Sequence, residues 1–300
     1  MKKILVVGSS GFLGSKIFEL ASIRYLAHGT FYSNATPSRT WTRLDIVDRT
    51  NVQELMTNLA PNVVINAAGL TNVENCESHP GKALAANATG TRNLAEACAG
   101  IGAKLVHIST NYVFDGEREA YTETDKPNPL NVYGRTKLQG ERYVMNACKD
   151  HAIIRTSLLY RLPDVNHTES EDFVAWLLKK LRRLEIVQIA EDLRSCPTNV
   201  DTLAEAVLKI AVSDFVGLLH VAGRDCLSRY EFARAIADVF GVDPNLIKAS
   251  ESSVLWPNVQ KPKHTCLNSR KVENELGIVS PGVKAVLSET RRDHDSFQRE

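Results

Sequence analysis

Two side chains four residues apart, Tyr133 and Lys137 in Tyr-Gly-Arg-Thr-Lys, are the first candidates for chemistry. Positions i and i+4 of a helix share a face, so a phenol and an ammonium would project into one cleft. A free phenol titrates near pH 10, which is high for acid–base work near neutrality. A neighbouring ammonium is expected to stabilise the phenolate and lower that value. Lys137 could also hold the ribose of a nicotinamide nucleotide. Upstream, His107-Ile108-Ser109-Thr110-Asn111-Tyr112 reads as a strand that ends in hydroxyl residues. Ligands of a doubly wound sheet sit beyond the carboxyl ends of its strands, so Thr110 would offer its hydroxyl to a carbonyl beside Tyr133. Tyr-x-x-x-Lys alone is common by chance, and its bland alternative is an ordinary helix face. The ordered set carries more weight than any member.

The second constellation is Gly8-Ser9-Ser10-Gly11-Phe12-Leu13-Gly14, placed after the apolar run Ile4–Val7 and opening a helical pattern. Gly8 permits a tight turn, Gly11 lets backbone approach a pyrophosphate, and Gly14 allows close helix–strand packing. The helix start offers free N–H groups to an anion. Ser10, Phe12 and Leu13 belong to the same grip. The spacing G-x-x-G-x-x-G points toward the short-chain dehydrogenase group. After the second strand a carboxylate would select NAD by binding the ribose 2′-hydroxyl. Phe31 to Arg39 contains no acid, and Ser33, Asn34 and Arg39 could serve a 2′-phosphate. NADP is therefore expected, with NAD the alternative; the bland reading of Arg39 is a solvated loop residue. Asp45, with Ile46 beside it, is a candidate to face the adenine, or Asp45 could cap a helix. Asn66-Ala67-Ala68-Gly69 ends the fourth strand with small residues that leave room for a flat ring.

These residues need a frame. Strands are expected at Ile4–Val7, Gly29–Tyr32, Trp41–Leu44, Val63–Asn66, Leu105–Ser109 and Ala152–Arg155, with helices near Phe12–Ala21, Asn51–Leu59, Lys82–Ile101 and Val132–Lys149. Short apolar runs without polar alternation suit strands covered on both faces. The rhythm implies an α/β fold with a doubly wound parallel sheet. Later come helices at Phe173–Leu184, Asn199–Ala211 and Ser228–Phe240, the last opened by a capping-box spacing, and a strand at Gly217–Val221. Tyr160–Ser170 reads as a loop and Arg291–Glu300 as a frayed tail. The expected division is a dinucleotide-binding domain over 1–155, completed by about 199–222, and a smaller substrate-binding domain over 156–198 and 223–290.

With 36 Lys plus Arg against 35 Asp plus Glu in 300 residues, the net charge is +1 and leaves no footprint for nucleic acid. The hydrophobic fraction of 43% is too high for a disordered chain. No apolar run approaches the ~18 residues of a membrane span. The apolar start is four residues ending in glycine, too short for a signal peptide, so a cytoplasmic protein is expected. Cys76, Cys98, Cys148, Cys196, Cys226 and Cys266 form no C-x-x-C pair and read as reduced, mostly buried thiols. No acidic pair is assignable to a metal.

At this point the chain resembles an extended short-chain dehydrogenase/reductase, and more narrowly the dTDP-4-dehydrorhamnose reductase family. The motifs are GSSGFLG at 8–14, INAAGLTNVENCE at 65–77, HISTNYVFDG at 107–116, NPLNVYGRTKLQGE at 128–141 and KPKHTCLNSRKV at 261–272. The same branch contains the regulatory β subunit of methionine adenosyltransferase. The resemblance implies reduction of a dTDP-6-deoxy-4-ketosugar at C4. Tyr133 would donate the proton, Lys137 would tune it and hold the ribose, and Thr110 would hydrogen-bond the ketone oxygen. Thr71, Val73 and Tyr112 fall where the family lines its sugar pocket, and Lys261 would meet a diphosphate. Family members occur as monomers and dimers, so a homodimer is a candidate assembly. The substrate-side segments depart from the family pattern: Leu158-Leu159 follows Arg155-Thr156-Ser157 where an aromatic is usual. A non-catalytic NADP-binding regulator, and another nucleotide-sugar reductase or epimerase, are the alternatives.

Overall fold

A computed structural model describes residues 1–33, 40–161 and 172–289. Strands β1 (Lys3–Val7), β2 (Leu26–Phe31), β3 (Trp41–Arg43), β4 (Val63–Asn66), β5 (Lys104–Thr110), β6 (His151–Thr156) and β7 (Gly217–His220) form one parallel sheet. Its order is β7-β6-β5-β4-β1-β2-β3. Successive side chains of a strand point to opposite faces, and here both faces are covered. Ile4 and Val6 pack under helix α1 (Phe12–Arg24) and a later helix, Val200–Val212. Leu5 and Val7 pack under α2 (Arg49–Leu59) and the helices that follow β4 and β5. Unbroken apolar runs are what such two-sided burial requires.

Between β4 and β5 the chain runs through α3 (Val73–Ser78), α4 (Pro80–Leu84), a π-helical turn at Ala85–Thr89 and α5 (Gly90–Ile101). The uninterrupted helix expected at Lys82–Ile101 is thus widened by one π turn, which lodges Asn87 fully buried beneath Leu70. After β5, α6 (Val132–Ala147) begins where Asn131 accepts a hydrogen bond from the Gly134 N–H at 2.9 Å. That cap makes Tyr133 the second helical residue and sets Lys137 one turn below it. Gly134 allows the start of α6 to approach the loop after β5: a Cβ there would lie 2.1 Å from the Tyr112 carbonyl oxygen.

A second apolar cluster lies beyond β6. It gathers α7 (Phe173–Arg182), the strand pair Val187–Ala190 and Ile247–Ser250, and the helix Arg229–Phe240 around Tyr160, Leu177, Phe232 and Ile236. The intervening α8 (Val200–Val212) is the helix that packs on α1 beneath the main sheet. The last of these helices, α9 (Arg229–Phe240), is capped as expected, with the Ser228 hydroxyl on the Glu231 N–H and the Glu231 carboxylate on the Ser228 N–H. Two strands that sequence periodicity does not reveal, Val187–Ala190 and Ile247–Ser250, pair in parallel at a constant separation of 60 residues.

The expectation of six reduced thiols is overturned at one pair. Cys226 and Cys266 form a disulfide with their Cα atoms 5.6 Å apart. They are separated by 40 residues and only the fold brings them together. The remaining four cysteines are free and buried.

Candidate active site

The sheet order reverses between β1 and β4, and the crevice opens beyond their carboxyl ends, as expected at such a switch point. Gly8 has φ +83° and a Cβ there would press to 2.9 Å from the Ala68 backbone. A Cβ on Gly14 would lie 2.1 Å from the Gly8 carbonyl oxygen, so α1 starts hard against the β1 turn. Gly11 caps α1 without any side-chain partner for the first N–H groups. From this point a cleft of about 550 Å³ runs along Gly8, Ser10, Gly11, Ser33, Asp45, Ile46, Ala67, Ala68 and Gly69. Asp45 accepts from the Val47 N–H at 2.9 Å while lining that cleft. Arg43 stacks over Tyr32 at the same end, 5.8 Å from the ring centre. Asn34 and Arg39 lie outside the described residues.

A second cleft of about 380 Å³ shares Gly11, Ala67, Ala68 and Gly69 with the first and adds Phe12, Leu13, Thr71, Val73, Thr110, Tyr112, Tyr133, Lys137, Thr156 and Leu158. The structure therefore gathers the Tyr, Lys and Thr of the sequence reading beside the end of the glycine-lined groove. The Thr110 hydroxyl and the Tyr133 phenol line this cleft together, and Thr110 favours the ionised form of that phenol. Thr110 Oγ1 also accepts from the Tyr112 N–H at 3.2 Å. The Tyr112 ring meets that of Tyr133 edge-on, with centroids 5.7 Å apart. Thr156 Oγ1 is buried along the same cleft without a protein partner.

The electrostatics differ from the expectation in one respect. Burial pushes the Tyr133 phenol up to about 12, offset only in part by the neighbouring Thr110 hydroxyl. The Lys137 ammonium does not counter this. Its Nζ donates to the Ile108 carbonyl at 2.5 Å and sits 3.5 Å from His107 Nε2. Burial brings Lys137 down to about 8, with Glu141 opposing. Asn66 sets the other side of that contact. Its Oδ1 accepts from Ala68 N–H, so its Nδ2 faces Thr91 Oγ1 and His107 Nδ1. His107 thus stands between the Asn66 amide at Nδ1 and Lys137 at Nε2. Burial keeps His107 neutral. Glu141 is occupied elsewhere, in a two-pronged pair with Arg155 at 2.7 and 2.9 Å. Lys137 is thus a desolvated amine rather than one half of an ion pair.

Lys261 does not line the catalytic cleft. Its Nζ pairs with Glu74 Oε1 at 2.5 Å and lies 3.9 Å from the Trp256 ring centre. Two residues escaped sequence reasoning. Asn87, in the π turn, binds both polar groups of Leu70 and holds Thr136 Oγ1 at 3.1 Å, tying the loop after β4 to α6. A buried Asn in a helical pattern gives no local signal of this. Arg229, the first residue of α9, lines the cleft beside Tyr112 and opposes the rise that burial gives the Tyr112 phenol. Only its place just after a helix cap was visible.

The family described as RmlD substrate binding domain matches residues 1–294. A dTDP-4-dehydrorhamnose reductase of Mycobacterium tuberculosis is 34% identical over 276 residues, 90% of this chain and 86% of that protein. Methionine adenosyltransferase 2 subunit beta of Rattus norvegicus is 30% identical over 284 residues, 92% of this chain and 83% of that one. Among solved structures, the Bacillus anthracis dTDP-4-dehydrorhamnose reductase in complex with NADP superposes with a TM-score of 0.85 at 27% identity, covering 96% of this chain and 98% of that one. By its glycine-lined groove, its Tyr133–Lys137–Thr110 cleft and this match along nearly its whole length, the chain belongs to the RmlD substrate binding domain family, within the extended short-chain dehydrogenases/reductases.

Proposed function

We propose that the protein is an NADPH-dependent reductase of a nucleotide-activated 4-ketosugar, with dTDP-4-dehydrorhamnose as substrate and dTDP-L-rhamnose as product. The observation that carries this reading is the convergence of Thr110, Tyr133 and Lys137 in one cleft at the end of a groove where a Cβ on Gly8 would press on the Ala68 backbone. That groove fits a dinucleotide: Gly8 and Gly11 would face its pyrophosphate, Gly14 lets α1 start against the β1 turn, and Asp45 and Ile46 would face the adenine. NADP follows from the acid-free stretch after β2 and from the NADP held by the Bacillus anthracis relative, with NAD the alternative. When bound, the cofactor supplies a hydride to the carbonyl carbon.

The chain's own residues supply the rest. Tyr133, kept fully protonated by a value near 12, donates its phenolic proton to the carbonyl oxygen as negative charge develops there. Thr110 donates a hydrogen bond to the same oxygen, a contribution of several kcal/mol in comparable sites. Lys137, positioned on Ile108, holds the ribose and is a proton source for the spent tyrosine. Thr71, Val73 and Tyr112 bound the sugar. We assign residues 1–155 and about 199–222 to the cofactor unit and 156–198 with 223–290 to the substrate unit. A cytoplasmic location accompanies this reading. Among the described residues no helix is long and apolar enough to cross a membrane.

The test is Tyr133→Phe. Turnover of dTDP-4-dehydrorhamnose, followed by NADPH oxidation, falls by about 10²–10⁴, while NADPH affinity stays within about twofold of wild type. Equal turnover by the two proteins removes the proton-donor role. A wild type that binds NADPH but reduces no nucleotide-4-ketosugar overturns the catalytic reading in favour of a nucleotide-binding regulator.

A further inference from the structure

Arg229 makes no direct ion pair among the described residues. Its guanidinium lies 5.3 Å from the Trp256 ring centre, and Lys261 lies 3.9 Å from the same ring. Two positive charges therefore crowd one indole. Glu74 contacts only Lys261 directly and feels Arg229 from farther off. No carboxylate forms a salt bridge with Arg229 among the described residues. Its neighbouring cation Arg194 is already matched, to Glu231 at 3.0 Å. Holding Arg229 close to Lys261 costs energy unless something negative joins them.

Its surroundings say where that negative group belongs. Arg229 is half-buried and lines the cleft that contains Thr110, Tyr133 and Lys137. It shares that lining with Tyr112, whose ring in turn meets Tyr133 edge-on. The α9 backbone fixes its base, with the Arg229 N–H on the Leu193 carbonyl at 3.0 Å and the Ser228 capping box one residue before it. The indole beneath it restricts the planar guanidinium to a narrow set of orientations. Such a fork, with five donors and few partners, matches a bidentate oxyanion. It stands on the wall formed by the chain beyond β6, across from the glycine-lined groove that would hold the cofactor.

We infer that Arg229, braced on Trp256, grips the diphosphate of the nucleotide-sugar and thereby orients the ketosugar against Tyr133. This rests on the reductase reading for the identity of the ligand. The role assigned to Lys261 by the resemblance passes to Arg229, because Lys261 is held by Glu74.

The experiment is calorimetric binding of dTDP and of thymidine to the NADP-loaded protein, wild type against Arg229→Met and Arg229→Lys. Wild type is expected to bind dTDP far more tightly than thymidine. Arg229→Met loses dTDP affinity by about 30-fold or more, keeps its weak thymidine binding, and keeps its NADP affinity, which shows the fold intact. Arg229→Lys retains part of the dTDP affinity, since charge survives but the fork does not. An Arg229→Met protein that binds dTDP within about threefold of wild type overturns the inference, as does a wild type that binds dTDP no better than thymidine. The two readings fail separately. A wild type without turnover on any nucleotide-4-ketosugar, yet with the dTDP difference between wild type and variant intact, defeats the reductase proposal and supports the anion site.

Discussion

Lys137→Met is expected to make the protein more stable and inactive. Lys137 is 5% exposed. Its ammonium has lost most of its water and gained a single carbonyl, Ile108 O, in return. The carboxylate one turn along, Glu141, is spent on Arg155. The amine is therefore displaced from its ordinary 10.5 to about 8. That gap of 2.5, at ~1.36 kcal/mol for each, means that the folded state pays about 3 kcal/mol to keep Lys137 charged. The sign follows from proton counting. Below pH 8 both folded and unfolded chains hold the proton, and the whole penalty applies. Between about 8 and 10.5 the folded chain releases it first, and the penalty fades. Above 10.5 both are neutral and it is gone. Methionine has a comparable length and no charge, but forfeits the hydrogen bond to Ile108. The net gain at pH 7 should thus be about 1–3 kcal/mol. Urea denaturation of the cofactor-free protein, wild type and variant, at pH 7, 8, 9 and 10 measures it. The advantage of the variant should shrink steadily above pH 8. A variant less stable than wild type at pH 7, or a difference that does not change with pH, refutes the desolvated-amine account.

Three further outcomes follow from particular contacts. Gly14→Ala places a Cβ 2.1 Å from the Gly8 carbonyl oxygen, so it should cost about 1–3 kcal/mol and weaken NADPH binding, read by fluorescence titration; unchanged affinity would mean that α1 can retreat. Glu141→Gln strips the counter-charge from Arg155, which is 3% exposed, and should lower stability by about 3–5 kcal/mol in denaturant. Adding Arg155→Met should restore much of that loss, and no restoration would show that charge burial is not the cause. Cys226→Ser opens the cross-link to Cys266 across 40 residues, for which chain entropy predicts about 4 kcal/mol; an oxidised wild type that melts with the variant, or that labels six thiols when denatured without reductant, would refute the disulfide.

Local rules carried a large share of the fold and of the chemistry. Ile4–Val7, Val63–Asn66 and Leu105–Ser109 announce buried strands because two-sided burial leaves no room for polar alternation. Ser228 and Glu231 announce the start of α9 because capping is settled within four residues. Tyr133 and Lys137 were legible together because helical periodicity alone puts them on one face. Gly8, Gly11 and Gly14 were legible because the turn they serve lies between adjacent elements.

The tertiary structure decided what depends on distance across the chain. Lys261 meets Glu74 over 187 residues, and Cys226 finds Cys266 over 40. No spacing rule operates at such separations, since loop closure makes many pairings almost equally accessible to the unfolded chain. The protonation of Tyr133 and Lys137 belongs to the same class. The residue types named the acid and the amine, but their ionisation depends on how much water the surrounding elements exclude. Arg229 shows the difference most sharply. By sequence it is one basic residue after a helix cap, and its place beside Trp256, Tyr112 and the catalytic cleft exists only once four distant segments have packed.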